Sequence, residues 1–171
     1  MSKGLAVLSH GLESGPTATK VTALAAVCED LGWDSVRPDY LDLDALKDPQ
    51  RIADRIERML AHAEGHARVV LAGSSMGAFI SALGSLEREV AGVFLIAPPI
   101  AIDGFERRLD VDEVPLSIVH GWDDELIPYE EVVAFAHARR ASLLLLDDDH
   151  RLGNQVPEVA AAFRRFLLSL E

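Results

Sequence analysis

Between Arg68 and Leu83 the chain reads RVVLAGSSMGAFISAL: an apolar run, a serine held between glycines, and helix-forming residues at once afterwards. Gly73-Ser74-Ser75-Met76-Gly77 fits the pattern G-x-S-x-G only with Ser75 at its centre. In that pattern a strand turns into a helix so tightly that the central residue takes a strained backbone and lifts its hydroxyl above the sheet edge. The tightness requires missing side chains, which Gly73 and Gly77 supply, and the neighbouring Ala72 and Ala78 are small enough for the helix to pack close. Ser74 then points elsewhere. Met76, at the helix start, offers a backbone N–H to any negative charge that develops on an attacked carbonyl oxygen.

A serine hydroxyl is a poor nucleophile until a base takes its proton, and the base needs a third group to fix its tautomer and stabilise its charge. Both partners are available later in the chain. The stretch SLLLLDDDHRL places His150 just past an apolar run, and LSIVHGWDDELIP places Asp123 and Asp124 just past the run before it. Serine, acid, histidine is one of the known chain orders for such a trio. The residues alone leave Asp123 and Asp124 both open, because neighbours on a loop point in different directions. The run Asp147 to Asp149 reads as a solvated charge cluster that ends a strand. Among the other histidines, His62 and His66 flank a helix end, His137 lies in a helix near Arg139 and Arg140, and His120 opens the acid loop as a packed structural residue. Nothing suggests a metal site. GLESGPTATK departs from a phosphate loop, since Pro16 holds the second glycine position and Lys20 comes late, so nucleotide binding is not expected.

These groups need a scaffold that gathers distant loops. Leu5 to Ser9 is a short apolar run, followed from Thr17 to Leu31 by Val21, Leu24, Ala25, Cys28 and Leu31 at helical spacing, with Gly32 as the stop. Ser35 to Arg37 reads as a second strand. Asp48 and Pro49 open a helix with Ile52, Ile56, Met59, Leu60 and Ala63 on its apolar face, and Gly65 ends it. Strands are then predicted over Arg68 to Ala72, Ala91 to Ala97, Leu116 to Val119 and Ser142 to Leu146, with helices over Ser75 to Leu86, after Pro128, and over Val156 to Leu168. Near-continuous apolar strands interleaved with amphipathic helices predict an α/β fold: a three-layer α/β/α sandwich with a mostly parallel sheet of about six strands, in one domain spanning residues 1–171. Ligands of such sheets sit at the carboxyl ends of the strands, where Ser75, Asp123, Asp124 and His150 all lie.

The composition narrows the function further. The 171 residues are 49% hydrophobic and carry a formal net charge of −12, which argues against a nucleic-acid backbone or an anionic membrane as partner. Cys28, the only cysteine, falls on the apolar face of a helix and reads as a reduced core thiol. The first residues read as a strand rather than a signal peptide, and no segment approaches the ~18 apolar residues of a membrane span. A cytoplasmic setting is the expectation.

With SHGLES after the first strand, AGSSMGA at the turn, VHGWDDELIP and DDDH, the sequence resembles a small, lidless member of the α/β-hydrolase fold superfamily of serine esterases and thioesterases. The resemblance implies Ser75 as nucleophile, His150 as base and Asp124 as acid, with the N–H groups of Leu12 and Met76 receiving the oxyanion. It also implies substrate contacts from His10, Gly11 and Trp122, and no cofactor. A small-molecule ester or thioester is the expected partner: the expected activity is hydrolysis of short-acyl carboxylic esters, with a thioesterase or a weakly catalytic binding module as alternatives. Only Pro98 to Val114 separates two strands between which larger relatives insert a cap, so no cap domain is expected and the site should be open. Ile100, Ile102, Phe105 and Leu126 are further candidates for its rim.

Overall fold

The computed structural model describes residues 1–171. Strands β1 (Leu5–Ser9), β2 (Asp34–Val36), β3 (Val69–Ser74), β4 (Gly92–Ile96), β5 (Leu116–Gly121) and β6 (Ser142–Leu146) form one sheet in the order β2-β1-β3-β4-β5-β6. All five pairings are parallel. Every residue of the central strands β1, β3 and β4 is buried, as their unbroken apolar runs require in a sheet covered on both faces.

The side-chain period of two divides these strands between two cores. Val7, Leu71 and Leu95 face helices α3 (Ile52–His62) and α4 (Met76–Gly84), packing with Ile56, Met59 and Phe79; helix α5 (Tyr129–Arg139) lends Val132 and Ala136 to the same core. Leu8, Ala72 and Phe94 face α1 (Thr19–Leu31) and α6 (Val156–Ser169), packing with Leu24 and Phe163. The Phe94 and Phe163 rings meet edge to face at 5.0 Å. No helix is long and apolar enough to cross a membrane.

Local signals set the element ends. Gly32 takes the left-handed conformation at φ 78° and returns its N–H to the Cys28 and Glu29 carbonyls, closing α1. The Asp48 carboxylate accepts the Gln50 N–H and starts a 3₁₀ turn, Pro49–Arg51, that runs into α3. Two strands extend beyond expectation. β3 reaches Ser74, so Gly73 pairs with Ser9 and Leu95 inside the sheet, and β5 reaches Gly121, which draws His120 fully inside. The one-turn helix α2 (Leu41–Asp44) escapes sequence reading because four residues carry no periodicity; it is held by an Asp39 carboxylate bond to the Leu41 N–H and by the Arg58–Asp42 pair. Between β4 and β5, residues 98–114 form no helix or strand, and Ile100, Ile102 and Phe105 pack down onto the core, so no cap stands over the carboxyl end of the sheet.

Candidate active site

Ser75 sits at the junction of β3 and α4 with φ 55° and ψ −114°. For a residue with a side chain such a conformation costs about 1–3 kcal/mol and persists only when its surroundings over-determine it. They do so here. The Ser75 N–H donates to the Ile96 carbonyl at 2.8 Å, and Gly73 and Gly77 lie backbone against backbone. A Cβ on Gly73 would fall on the Gly77 carbonyl, and one on Gly77 would fall on the Ser9 carbonyl. Ser74, by contrast, completes β3 and is buried.

The Ser75 Oγ lies 3.0 Å from His150 Nε2, and His150 Nδ1 lies 2.7 Å from Asp124 Oδ2. The Asp124 carboxylate is sealed from solvent, and its Oδ1 accepts the N–H groups of Leu126 at 2.9 Å and Ile127 at 2.8 Å. Beside it, His120 Nε2 is 2.9 Å from the Ile127 carbonyl and 3.4 Å from Asp124 Oδ2. Only Nε2–H serves both of these acceptors, so His120 is a packed residue of the acid loop. Its Nδ1 is buried without a partner. With Asp124 ionised, His150 donates through Nδ1–H and turns an unprotonated Nε2 to the serine, the tautomer that can take a proton from Oγ. Asp123 is exposed, and its backbone N–H goes to the Asp148 carbonyl at 3.1 Å.

The loop carrying His150 is organised by Asp148. The expected solvated cluster does not hold for this residue: it is buried, and its carboxylate accepts the N–H groups of Asp149 at 2.8 Å and Asn154 at 2.9 Å, and the Asn154 side chain at 3.2 Å. These bonds, the Asp149 N–H foremost, hold the Asp148 carboxyl below the usual carboxylate range. A Cβ on Gly121 would lie 2.5 Å from the Asp148 carbonyl, so the acid strand and the histidine loop touch through bare backbone. On the far side, Lys20 Nζ donates to the Arg151 carbonyl at 2.6 Å; burial, and then the nearby Arg151 charge, lower its pKa.

The first loop completes the arrangement. Gly11 packs against the turn, where an added Cβ would sit 3.5 Å from the Ser75 Cβ. The Leu12 and Met76 N–H groups find no acceptor within the protein, while their neighbours are tied: the Ser14 N–H to the Gly11 carbonyl at 3.2 Å and the Glu13 N–H to Asp44 Oδ2 at 2.9 Å. Asp44 is in turn held by Arg55 Nη2 at 2.7 Å, in an ion pair whose side chains are 2% and 4% exposed. Sequence reasoning missed Asp44, Arg55 and Tyr40, since none belongs to a motif.

His10 does not meet the expectation of a substrate contact. It is 2% exposed and both its ring nitrogens are occupied, Nδ1 by the Gly11 carbonyl at 2.7 Å and Nε2 by the Tyr40 N–H at 3.0 Å. Its work is to shape the loop. Trp122 is half exposed on the acid loop, with its ring edge-on to Tyr129 at 4.9 Å. The Cys28 thiol is buried, which pushes its pKa up to about 12.

Neither the protein-family models nor the curated proteins give a match. Solved structures do. A protein of Xanthomonas campestris pv. campestris assigned to the alpha/beta hydrolase superfamily is 46% identical, over 98% of this chain and 99% of its own, with a TM-score of 0.91. Est1E from Butyrivibrio proteoclasticus (20% identity, 99% and 88% of the two chains, TM-score 0.73) and an esterase from Pyrococcus furiosus (16%, 98% and 82%, TM-score 0.78) share the fold. Fold, turn geometry and the close Xanthomonas relative agree: the chain belongs to the alpha/beta hydrolase superfamily.

Proposed function

We propose that this hydrolase cleaves small carboxylic esters through an acyl-enzyme formed on Ser75. The observation that carries the reading is the continuous line from Ser75 Oγ through His150 to Asp124, at 3.0 and 2.7 Å. In the first half-reaction His150 Nε2 takes the Oγ proton as Oγ bonds to the ester carbonyl carbon. The electron pair pushed onto the carbonyl oxygen is received by the Leu12 and Met76 N–H groups, a role supported by their having no acceptor within the protein. Collapse breaks the bond to the alkoxy oxygen, and the departing alcohol takes its proton from His150 Nε2–H. Water then repeats the sequence: His150 removes its proton, the hydroxide oxygen attacks the acyl carbon, and the carboxylic acid leaves as Oγ regains a proton. Asp124 stays ionised throughout, holding Nδ1–H and stabilising the imidazolium.

Labelling with a fluorophosphonate, followed by peptide mass spectrometry, tests this directly. The phosphonyl group is expected on the peptide containing Ser75, with simultaneous loss of p-nitrophenyl acetate hydrolysis. An unlabelled protein, or label elsewhere with hydrolysis intact, would overturn the reading.

A further inference from the structure

A cavity of about 310 Å³ opens beside the two free N–H groups, with Leu12, Met76, Pro49 and Ile102 on its apolar side. At about 30 Å³ per water in the liquid it holds the space of roughly ten waters, enough for a short acyl chain. Neither Ser75 nor His150 lines it, but it is one residue removed from the nucleophile: Met76 on its wall follows Ser75, and the loop bearing Leu12 packs through Gly11 against the Ser75 Cβ.

The polar side of this cavity is the Asp44–Arg55 pair. Arg55 directs Nε, at 3.3 Å, and Nη2, at 2.7 Å, to one carboxylate oxygen. Its Nη1 makes no hydrogen bond in the protein, although the side chain is only 4% exposed. Arg55 lines the cavity, and a nearly buried guanidinium fixed by two bonds with one amino group uncommitted is a directional donor. Asp44 cannot swing across to it, because Oδ2 is engaged by the Glu13 N–H.

The charges around this donor select its acceptor. Lys47 and Arg55 face Glu13, Asp44 and Asp48, two cations against three carboxylates, in a chain of net charge −12. An anion drawn to Arg55 is repelled by the Asp44 carboxylate bound to the same guanidinium; a neutral carbonyl or hydroxyl oxygen takes the hydrogen bond without that opposition. Resting on the ester-hydrolase reading, we infer that the cavity is the acyl subsite and that Arg55 selects short acyl groups bearing a neutral oxygen acceptor, that is, oxo- or hydroxyacyl esters.

Two measurements test this. The first compares kcat/KM for the p-nitrophenyl esters of 4-oxopentanoate and 5-oxohexanoate with those of pentanoate and hexanoate, each divided by its hydroxide-catalysed rate. At least one oxo ester should win by about tenfold or more, the scale of a hydrogen bond from a charged donor, and the anionic glutarate monoester should fall below the pentanoate. In Asp44→Asn/Arg55→Met, which keeps an oxygen for the Glu13 N–H and removes both buried charges, the oxo preference should fall to about one. The second measurement needs neither turnover nor that variant's folding: NMR titration of Ser75→Ala with the four corresponding amides, following the Arg55 Nε–H signal. The better oxo amide should bind about tenfold tighter and shift that signal. Oxo-to-plain ratios near one for both lengths, or a preferred glutarate, would overturn the inference. Ester turnover with such flat ratios would leave the hydrolase reading standing, whereas amide selectivity without any ester turnover would remove that reading and keep the role of Arg55.

Discussion

Replacing Asp124 by Asn separates the two adjacent aspartates, and the loop geometry sets the size of the effect. Oδ1 of Asp124 accepts two backbone N–H groups, and Oδ2 faces His150 Nδ1. An asparagine has one oxygen to serve both sides. Keeping that oxygen on Leu126 and Ile127 turns the amide N–H₂ toward His150, which moves the imidazole proton to Nε2 and leaves no acceptor for the serine. Turning the amide over restores the productive tautomer but forfeits two backbone hydrogen bonds, about 1 kcal/mol each, or roughly 30-fold. It also sets N–H₂ against two N–H groups. At most roughly 3% of the imidazole then has the useful proton arrangement, by the same arithmetic. Loss of the carboxylate charge beside the imidazolium supplies the remainder and brings the deficit in kcat/KM toward about 10⁴. Stopped-flow release of p-nitrophenol at pH 8 measures it. Asp123→Asn, on an exposed side chain, should stay within about threefold, as surface substitutions do. A loss under tenfold for Asp124→Asn, or an equal loss at Asp123, would refute the tautomer argument.

Ser75→Ala should abolish both ester hydrolysis and fluorophosphonate labelling, while Ser74→Ala keeps most activity; equal losses in two folded variants would displace the nucleophile assignment. Rates of p-nitrophenyl ester hydrolysis should favour acetate and butyrate over laurate and palmitate, because each buried methylene contributes about 0.8 kcal/mol only while the cavity lasts; kcat/KM rising steadily to the long chains would count against a short subsite. The depressed Asp148 carboxyl stabilises its loop above its unfolded pKa, about pH 4, and that contribution is lost as the pH falls through the lower folded value. Amide exchange at Asp149 and Asn154 should therefore accelerate, relative to the sheet, on acidification below about pH 4, and protection unchanged down to pH 2 would show that the carboxylate is not the anchor. With chemistry limiting, kcat/KM should climb between about pH 5 and 8, the range in which histidine loses its charge, and a flat profile would exclude an imidazole base.

The scaffold was legible because each β3-like run of Val, Leu and Ala can be satisfied only by burial on both faces, and because G-x-S-x-G states its own backbone requirement. The choice between Asp123 and Asp124 was open because it depends on how the chain turns after β5, where the Asp124 N–H returns to the Gly121 carbonyl at 3.3 Å; no pattern of residue types encodes that direction. The place of His10 is hidden from the sequence for a similar reason. Its partner Tyr40 is 30 positions away and arrives only when β2 joins the sheet beside β1. Asp148 looked like one of three solvated acids until the loop closed and brought Asn154 round to it. The Asp44–Arg55 pair spans 11 positions between a one-turn helix and α3, and neither residue marks a motif by itself.

The backbone contact between Gly77 and Ser9 carries a consequence for the timing of catalysis. Nothing but main chain separates the first turn of α4 from the end of β1, so the nucleophile and the loop bearing Leu12 are parts of a single solid block. Close-packed interiors of that kind do not deform by small continuous steps. There is also no cap to swing. Turnover should then contain no closing motion: kcat should be insensitive to solvent viscosity, unlike that of enzymes gated by a lid. Crystals soaked with a fluorophosphonate should take up the label without cracking.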